Sequence, residues 1–329
     1  MMFNVCMVGH GMMGRWHSEA LRQRSDCRLH TLVGRRAEPT EAFAREFGYQ
    51  HWSTDLTRTL ADPAIDLVVV ATPSEAHAAN AIEVLQSGRD TLLEIPVGMD
   101  LAEARAVAEA VQASGRRLSL VYPMRMMPDM QALRARVAAG EERVRMIECR
   151  FVIRRWENVG ATGYRRSWTD NLLWHHLSHL VDFAMWLTDV PARTVWGHLP
   201  PPDPHTGTPM DAAVGVATEA GQTLLFLGSY AGHRSVCDAL VLTDRDCYQI
   251  DTVHSTLATA AGVAALRPEK DDCAAVLHDF VDAVKTGTAP AITAQSVLPM
   301  MAVLQAVQDQ WDAAHGSRTI PGRRPRLVR

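Results

Sequence analysis

At 329 residues the chain is longer than one hydrophobic core usually organises, so two domains are expected. With 47% hydrophobic and 21% charged residues, it has the ordinary balance of a chain that buries large cores. A net charge of −4 supplies no global basic field for nucleic acid or an anionic membrane, so an anionic substrate needs a local cluster of positive charge.

Phe3 to Val8 reads as a buried strand, followed by Gly9-His10-Gly11-Met12-Met13-Gly14 opening a helix. Further strands are predicted at Arg28 to Val33, Leu67 to Ala71, Thr91 to Glu94 and Leu118 to Val121. Helical periodicity fills Pro39 to Phe47, Glu75 to Gln86 and Leu101 to Ala113, with Gly48, Gly88 and Gly115 suited to left-handed caps. Strands alternating with helices imply right-handed crossovers and a parallel sheet covered on both faces. Residues 1–122 therefore read as an α/β Rossmann domain.

After Tyr122-Pro123 the rhythm changes. Strand-like runs at Val144 to Arg154, Val214 to Ala217, Thr223 to Ser229 and Ala239 to Leu242 are interrupted by one helix, Asp170 to Leu187. Residues 123–329 are expected to form an α+β domain with an open, largely antiparallel sheet, serving substrate binding and oligomerisation. Pro200 to Pro204 reads as a surface loop, and helices at Asp272 to Lys285 and Ala294 to Ala314 close the chain, free to pack back on the first domain.

Six cysteines (Cys6, Cys27, Cys149, Cys237, Cys247, Cys273) form no CxxC pair and no framework spacing, which suits reduced thiols in the cytoplasm. The N-terminus enters a strand almost at once, so no signal peptide is expected. No apolar run approaches the roughly 20 residues of a membrane-spanning helix.

Gly9, Gly11 and Gly14 form a GxGxxG between a strand and a helix, the context in which that pattern binds a dinucleotide. The first glycine permits a tight turn, the second lets the pyrophosphate approach the backbone, and the third lets helix and strand pack closely. Met12 and Met13 begin the helix on which the phosphates would sit. At the end of the second strand, where an acid usually binds the ribose hydroxyls of NAD, stands Gly34-Arg35-Arg36. Without an acid nothing repels a 2′-phosphate, and Arg35 or Arg36 can grip it, so NADP is expected over NAD. Thr72, Pro73 and His77, and then Glu94 and Pro96, lie at the carboxyl ends of later strands, where such sheets bind ligands.

Together these residues resemble the glucose-fructose oxidoreductase / inositol dehydrogenase family. Its GxGxxGxxH is met by Gly9 through His17, its A-T-P-x-x-x-H by Ala71 through His77, and its E-K-P by Glu94-Ile95-Pro96. The resemblance spans nearly the whole chain and implies a Rossmann domain followed by an open-sheet domain. The chain departs from the family where the E-K-P lysine becomes Ile95, and where D-x-x-x-H becomes His175-x-x-x-His179 followed by Asp182. A narrower resemblance, carried by Arg166 through His179 and by E-I-P, is to the 4-carboxy-2-hydroxymuconate semialdehyde dehydrogenases of protocatechuate 4,5-cleavage. It implies oxidation of a cyclic hemiacetal to 2-pyrone-4,6-dicarboxylate, with the nicotinamide as hydride acceptor.

His175, His179 and Asp182 recur at helical spacing and share one face. An imidazole, with its ordinary pKa of about 6.5, suits the removal of a hydroxyl proton. His179 is the leading base, with His175 beside it and Asp182 as orienter or as a domain-interface residue; a zinc held by the two histidines is the rival reading, without an obvious third ligand beyond Asp182. A dicarboxylate substrate would be bound by Arg125, Arg165 or Arg166, with Trp168 and His176 lining its pocket. Two alternatives stay open, a dehydrogenase of sugars or cyclic polyols and a non-catalytic NADP-binding sensor. A homodimer or homotetramer is expected by analogy with the family.

Overall fold

The computed structural model describes residues 2–160, 163, 165–168 and 171–315. The chain forms two compact units, one gathering residues up to Pro123 with Val159–Arg165 and Cys273–Ser296, the other Met124–Asn158, Arg166–Asp272 and the chain from Val297.

The first unit runs β1 (Phe3–Val8), α1 (Met12–Arg22), β2 (Cys27–Val33), α2 (Ala37–Phe47), β3 (His51–Ser53), α3 (Leu56–Leu60), β4 (Leu67–Val70), α4 (His77–Gln86), β5 (Asp90–Leu93), α5 (Leu101–Ser114) and β6 (Leu118–Leu120). All strands pair in parallel, in the order β3-β2-β1-β4-β5-β6. The near-continuous apolar runs of β1 and β4 are buried, as a sheet covered on both faces requires. Gly48, Gly88 and Gly115 end their helices at φ +80°, +82° and +64°, the left-handed conformation expected of them. β3 and α3 were not foreseen. β3 has three residues, two of them exposed, and gives no usable period.

The second unit runs α6 (Pro128–Ala138), β7 (Val144–Arg154), α7 (Leu177–Thr188), β8 (Ala192–His198), β9 (Asp211–Thr218), β10 (Thr223–Ser229), β11 (Ala231–Thr243), β12 (Cys247–Asp251), β13 (Thr256–Thr259) and β14 (Gly262–Ala265). In the chain α8 (Glu269–Thr286) follows, its residues from Cys273 onward belonging to the first unit, and α9 (Leu298–His315) then belongs to the second. Eight strands form one sheet in the order β14-β13-β12-β11-β7-β10-β9-β8, antiparallel except for β7 with β10. Period-2 alternation builds its core. Val214, Phe226, Cys149 and Ala239 form one cross-strand row, and Val216, Leu224, Ile147 and Val241 the next, all buried. Alternation turns Leu227 and Leu242 to the opposite face, where Trp196 lies over Gly215 and is 50% exposed. Among the described residues no helix is long and apolar enough to cross a membrane.

α9 packs on β8 through an absent side chain. A Cβ on Gly197 would stand 2.4 Å from Val307 Cγ1, and a β-branched residue on a helix has little rotamer freedom to yield. Gly197→Ala is expected to cost about 1–3 kcal/mol in denaturant unfolding. Most of that loss should return when Val307→Ala is added, a coupling that a double-mutant cycle reads directly.

Candidate active site

β1 lies between β2 and β4, so the strand order reverses at its edge, and that switch point is where open α/β sheets bind ligands. Gly9 leaves β1 at φ +106°, and a Cβ there would meet the Ala71 carbonyl oxygen beyond β4 at 2.2 Å. A Cβ on Gly14 would meet the Gly9 carbonyl oxygen at 2.4 Å. Gly11 differs, with nothing within 4 Å of its Cβ direction, and it caps α1 without a side-chain hydrogen bond. The first-turn N–H groups of α1 thus have no capping side chain, and the cradle fits a pyrophosphate. Met12 and Met13 open α1, Met12 at 36% exposure.

At the end of β2 a Cβ on Gly34 would lie 2.1 Å from Thr40 Oγ1 and 2.7 Å from the His10 ring. An acid cannot stand there unless both move. Arg36 caps α2, its carbonyl accepting from Thr40 N at 3.2 Å and Thr40 Oγ1 at 2.6 Å; the Arg35 and Arg36 side chains are exposed. Burial lowers the His10 pKa, and the Arg36 charge adds to that.

The next two strand ends are tied together. His77 Nε2 lies 2.7 Å from the Thr72 carbonyl and Nδ1 lies 2.8 Å from that of Pro96, while Asn80 donates to Thr72 Oγ1 at 3.1 Å. Pro73 is exposed beside them. Glu94 is buried against His17 of α1, Oε1 to Nε2 at 2.6 Å. Ile95, at the position of the family's lysine, is buried too.

In the second unit the histidines gather where the chain enters α7. Asn171 accepts from Trp174 N at 3.1 Å, and Leu172–His176 form a π-helical turn leading into α7. Asp170, the predicted first residue of this helix, lies outside the described residues. Gly228 of β10 lets the turn approach the sheet, its Cβ direction being 3.0 Å from Leu172 and Leu177. The His175 ring meets His176 edge-on at 4.3 Å and His179 at 6.4 Å between centroids. His176, about a quarter-turn from His175, nonetheless has its ring in edge contact with it.

Asp182 is fully buried, and its carboxylate takes a two-pronged bond from Arg125, Nε to Oδ2 at 2.7 Å and Nη2 to Oδ1 at 2.5 Å. The two residues predicted for orienting and for substrate binding thus hold each other. Burial pushes the Asp182 carboxyl above its ordinary value, and the Arg125 charge opposes that. Arg165 is exposed and belongs to the first unit. Arg166 N donates to the Asn158 carbonyl at 2.8 Å, and the Trp168 ring lies 6.1 Å from Tyr230. Sequence reasoning missed Arg155 and Tyr230, which contact His176; no motif marks them, and only the register of β7 and β11 brings them there. Among the described residues no group of three His, Cys, Asp or Glu is placed to hold a metal ion. All six cysteines are free thiols, and burial pushes Cys6 up to about 12, which suits filler and not a nucleophile.

Residues 3–122 match the oxidoreductase family with an NAD-binding Rossmann fold, and residues 128–248 match the C-terminal domain of bacterial oxidoreductases. The chain is similar to a 4-carboxy-2-hydroxymuconate-6-semialdehyde dehydrogenase of Sphingobium sp., 31% identical over 66% of this chain and 69% of the relative. It is also 30% identical to a scyllo-inositol 2-dehydrogenase (NAD(+)) of Bacillus subtilis, over 41% of this chain and 40% of that one. A levoglucosan dehydrogenase structure shares the fold at TM-score 0.83 and 16% identity, covering 96% of this chain and 98% of its own. The chain belongs to the glucose-fructose oxidoreductase / inositol dehydrogenase family of NAD-binding Rossmann-fold oxidoreductases. It is an NAD(P)-dependent dehydrogenase of alcohol groups.

Two variants test these roles. Gly11→Ala has room to fold, so its thermal midpoint should match the unmodified protein while its affinity for reduced nicotinamide cofactor, read by fluorescence titration, falls at least about tenfold if the pyrophosphate sits at this turn. Arg125→Leu strands a buried carboxylate and should cost about 3–5 kcal/mol at neutral pH. The folded state then holds the Asp182 proton more tightly than the unfolded chain does. Stability should therefore fall as pH rises through the carboxylate range, and the deficit should shrink on acidification.

Proposed function

We propose that this is a cytoplasmic, NADP-dependent dehydrogenase that oxidises the cyclic hemiacetal of 4-carboxy-2-hydroxymuconate semialdehyde to 2-pyrone-4,6-dicarboxylate, in protocatechuate 4,5-cleavage. What carries the reading is the gathering of His175, His176 and His179 at the start of α7, in a chain 31% identical to a dehydrogenase of that semialdehyde. Oxidising the hemiacetal carbon removes a hydride from its C–H and a proton from its O–H and leaves a lactone carbonyl. Bound NADP supplies the hydride acceptor.

The chain's own residues supply the rest. Gly9, Gly11, Gly14 and the first turn of α1, with Met12 and Met13, hold the pyrophosphate. The strand ends at Thr72-Pro73, His77, Glu94 and Pro96 shape the remainder of the cofactor site. Arg35 and Arg36 receive the 2′-phosphate, a preference supported by Gly34, where His10 and Thr40 fill the space an acid would need. His179 takes the hydroxyl proton with His175 beside it. Asp182, bonded to Arg125, holds α7 in place from within the core. Arg166, Trp168 and Arg165 are candidates for the substrate's carboxylates and wall. The exposed face bearing Trp196, Leu227 and Leu242 supports a homodimer or homotetramer.

A second reading, a dehydrogenase of a cyclic polyol or sugar, is favoured by the likeness to the scyllo-inositol enzyme. One assay separates them. The cyclised product of protocatechuate 4,5-cleavage is supplied with NADP or NAD, and reduced cofactor is followed by fluorescence. Oxidation with NADP preferred is the expected result, whereas turnover of inositols or sugars without it rejects the reading. His179→Ala should lower kcat by about 10²–10⁴-fold and leave NADP affinity unchanged.

A further inference from the structure

Gly9 N donates to Val33 O at 2.8 Å, so the glycine turn stands against the end of β2 and brings His10 beside Gly34. A Cβ on Gly34 would lie 2.7 Å from both Cδ2 and Nε2 of the His10 ring. The imidazole thus fills the place where the ribose-binding acid of an NAD site begins. It is half-buried, tilted against Phe43 at 5.7 Å, with Nε2 3.2 Å from Thr40 Oγ1. Thr40 Oγ1 lies 2.6 Å from the Arg36 carbonyl, a separation two oxygens hold only with a proton between them, and a carbonyl has none to give. The threonine proton is therefore committed to Arg36, and Thr40 accepts from Nε2. That leaves Nδ1 as the atom where His10 gains or loses a proton. Burial holds its pKa below the ordinary value; its own backbone opposes that, and the Arg36 charge adds to it. Arg15, on the far side of Phe43, is paired with Glu46. The free ring is neutral at weakly alkaline pH.

We propose that His10 is a specificity-determining residue for NADP, neutral in the free protein and taking a proton from solvent onto Nδ1 when the 2′-phosphate is bound beside it. The proposal rests on the NADP reading above and adds a residue to it. An acid at position 34 reaches the ribose 2′-oxygen with only one or two carbons beyond its Cβ. A phosphate on that oxygen therefore stands within roughly the 4–6 Å at which an opposite charge favours the protonated imidazole. The new proton leaves the Nε2–H bond to Thr40 in place, so the ring keeps its seat. Arg35 and Arg36 carry their charge with either nucleotide, whereas the imidazole gains its charge only beside the phosphate.

The test is isothermal titration calorimetry of the full-length protein with NADP and with NAD at weakly alkaline pH. Repeating it in buffers of different ionisation enthalpy counts the protons exchanged. NADP should bind with uptake approaching one proton, and NAD with none. Affinity for NADP should accordingly fall as pH rises, while that for NAD holds. The 2′-phosphate, with a second pKa of about 6, is already a dianion there and contributes no uptake. His10→Gln keeps an amide donor for Thr40 but has no site for the extra proton. It should abolish the uptake and weaken NADP on the order of tenfold, the effect of one charge-assisted interaction, and weaken NAD less. NADP binding without uptake in the unmodified protein overturns the proposal, as does an uptake that survives in His10→Gln. The affinities of the unmodified protein judge the NADP reading separately. Uptake with NADP in a protein that binds NAD more tightly upholds the role of His10 and rejects the preference alone.

Discussion

Backbone against backbone is the contact on which the candidate nucleotide site depends. Gly9 and Ala71 approach so closely that no side chain fits between them, and Gly14 closes on Gly9 in the same way. These approaches bring the start of α1 down onto the ends of β1 and β4, which aims its unsatisfied N–H groups at the switch point of the sheet. The neighbouring strand ends are then fastened to this frame by imidazoles. His17 reaches Glu94 from α1, and His77 spans the carbonyls of Thr72 and Pro96. Both rings are buried, so each holds its loop in a setting where a lost hydrogen bond is costly. Neither is placed to act as a mobile proton carrier.

The second unit separates its charges differently. Its acid on the histidine helix, Asp182, is bonded in two-pronged fashion to Arg125 and sealed from water. Such a pair contributes little net stability against an apolar alternative, yet it fixes where α7 can sit, because either charge alone would be expensive to bury. The imidazoles one turn earlier are only partly buried. A committed charge and partly buried imidazoles thus share one helical segment, the charge inward and the rings at its entrance.

Much of this could be read from the residues in order. The parallel domain was legible because its buried strands are apolar throughout and its helices end in left-handed glycines, as at Gly48 and Gly115. The glycine motif was legible because Gly9 and Gly14 answer to local steric demands, while Gly11 leaves open space at the start of α1. β12 to β14 were not, since short strands near a sheet edge, exposed along all of β14, carry little hydrophobic period. α6 escaped notice for a related reason: only Met130 and Leu133 are buried on it. Within the site, the histidines were visible by spacing along one helix. Arg155 and Tyr230 were not, because their nearness to His176 comes from pairing between strands 75 residues apart for the arginine and tyrosine themselves. Sequence spacing also missed the bond between Arg125 and Asp182, which joins a turn to a helix 57 positions on.

The π-helical turn at Leu172–His176 has a consequence for how this region tolerates change in length. Such a turn accommodates one residue more than an α-turn over the same rise. Deleting a single residue there would let the segment relax to regular α geometry while the buried stripe of α7 beyond it kept its seating. The imidazoles at its mouth would be re-sorted around the helix axis. A one-codon event would in this way redraw the arrangement of imidazoles at the head of α7, at the cost of repacking the buried Leu172, Leu173 and Trp174.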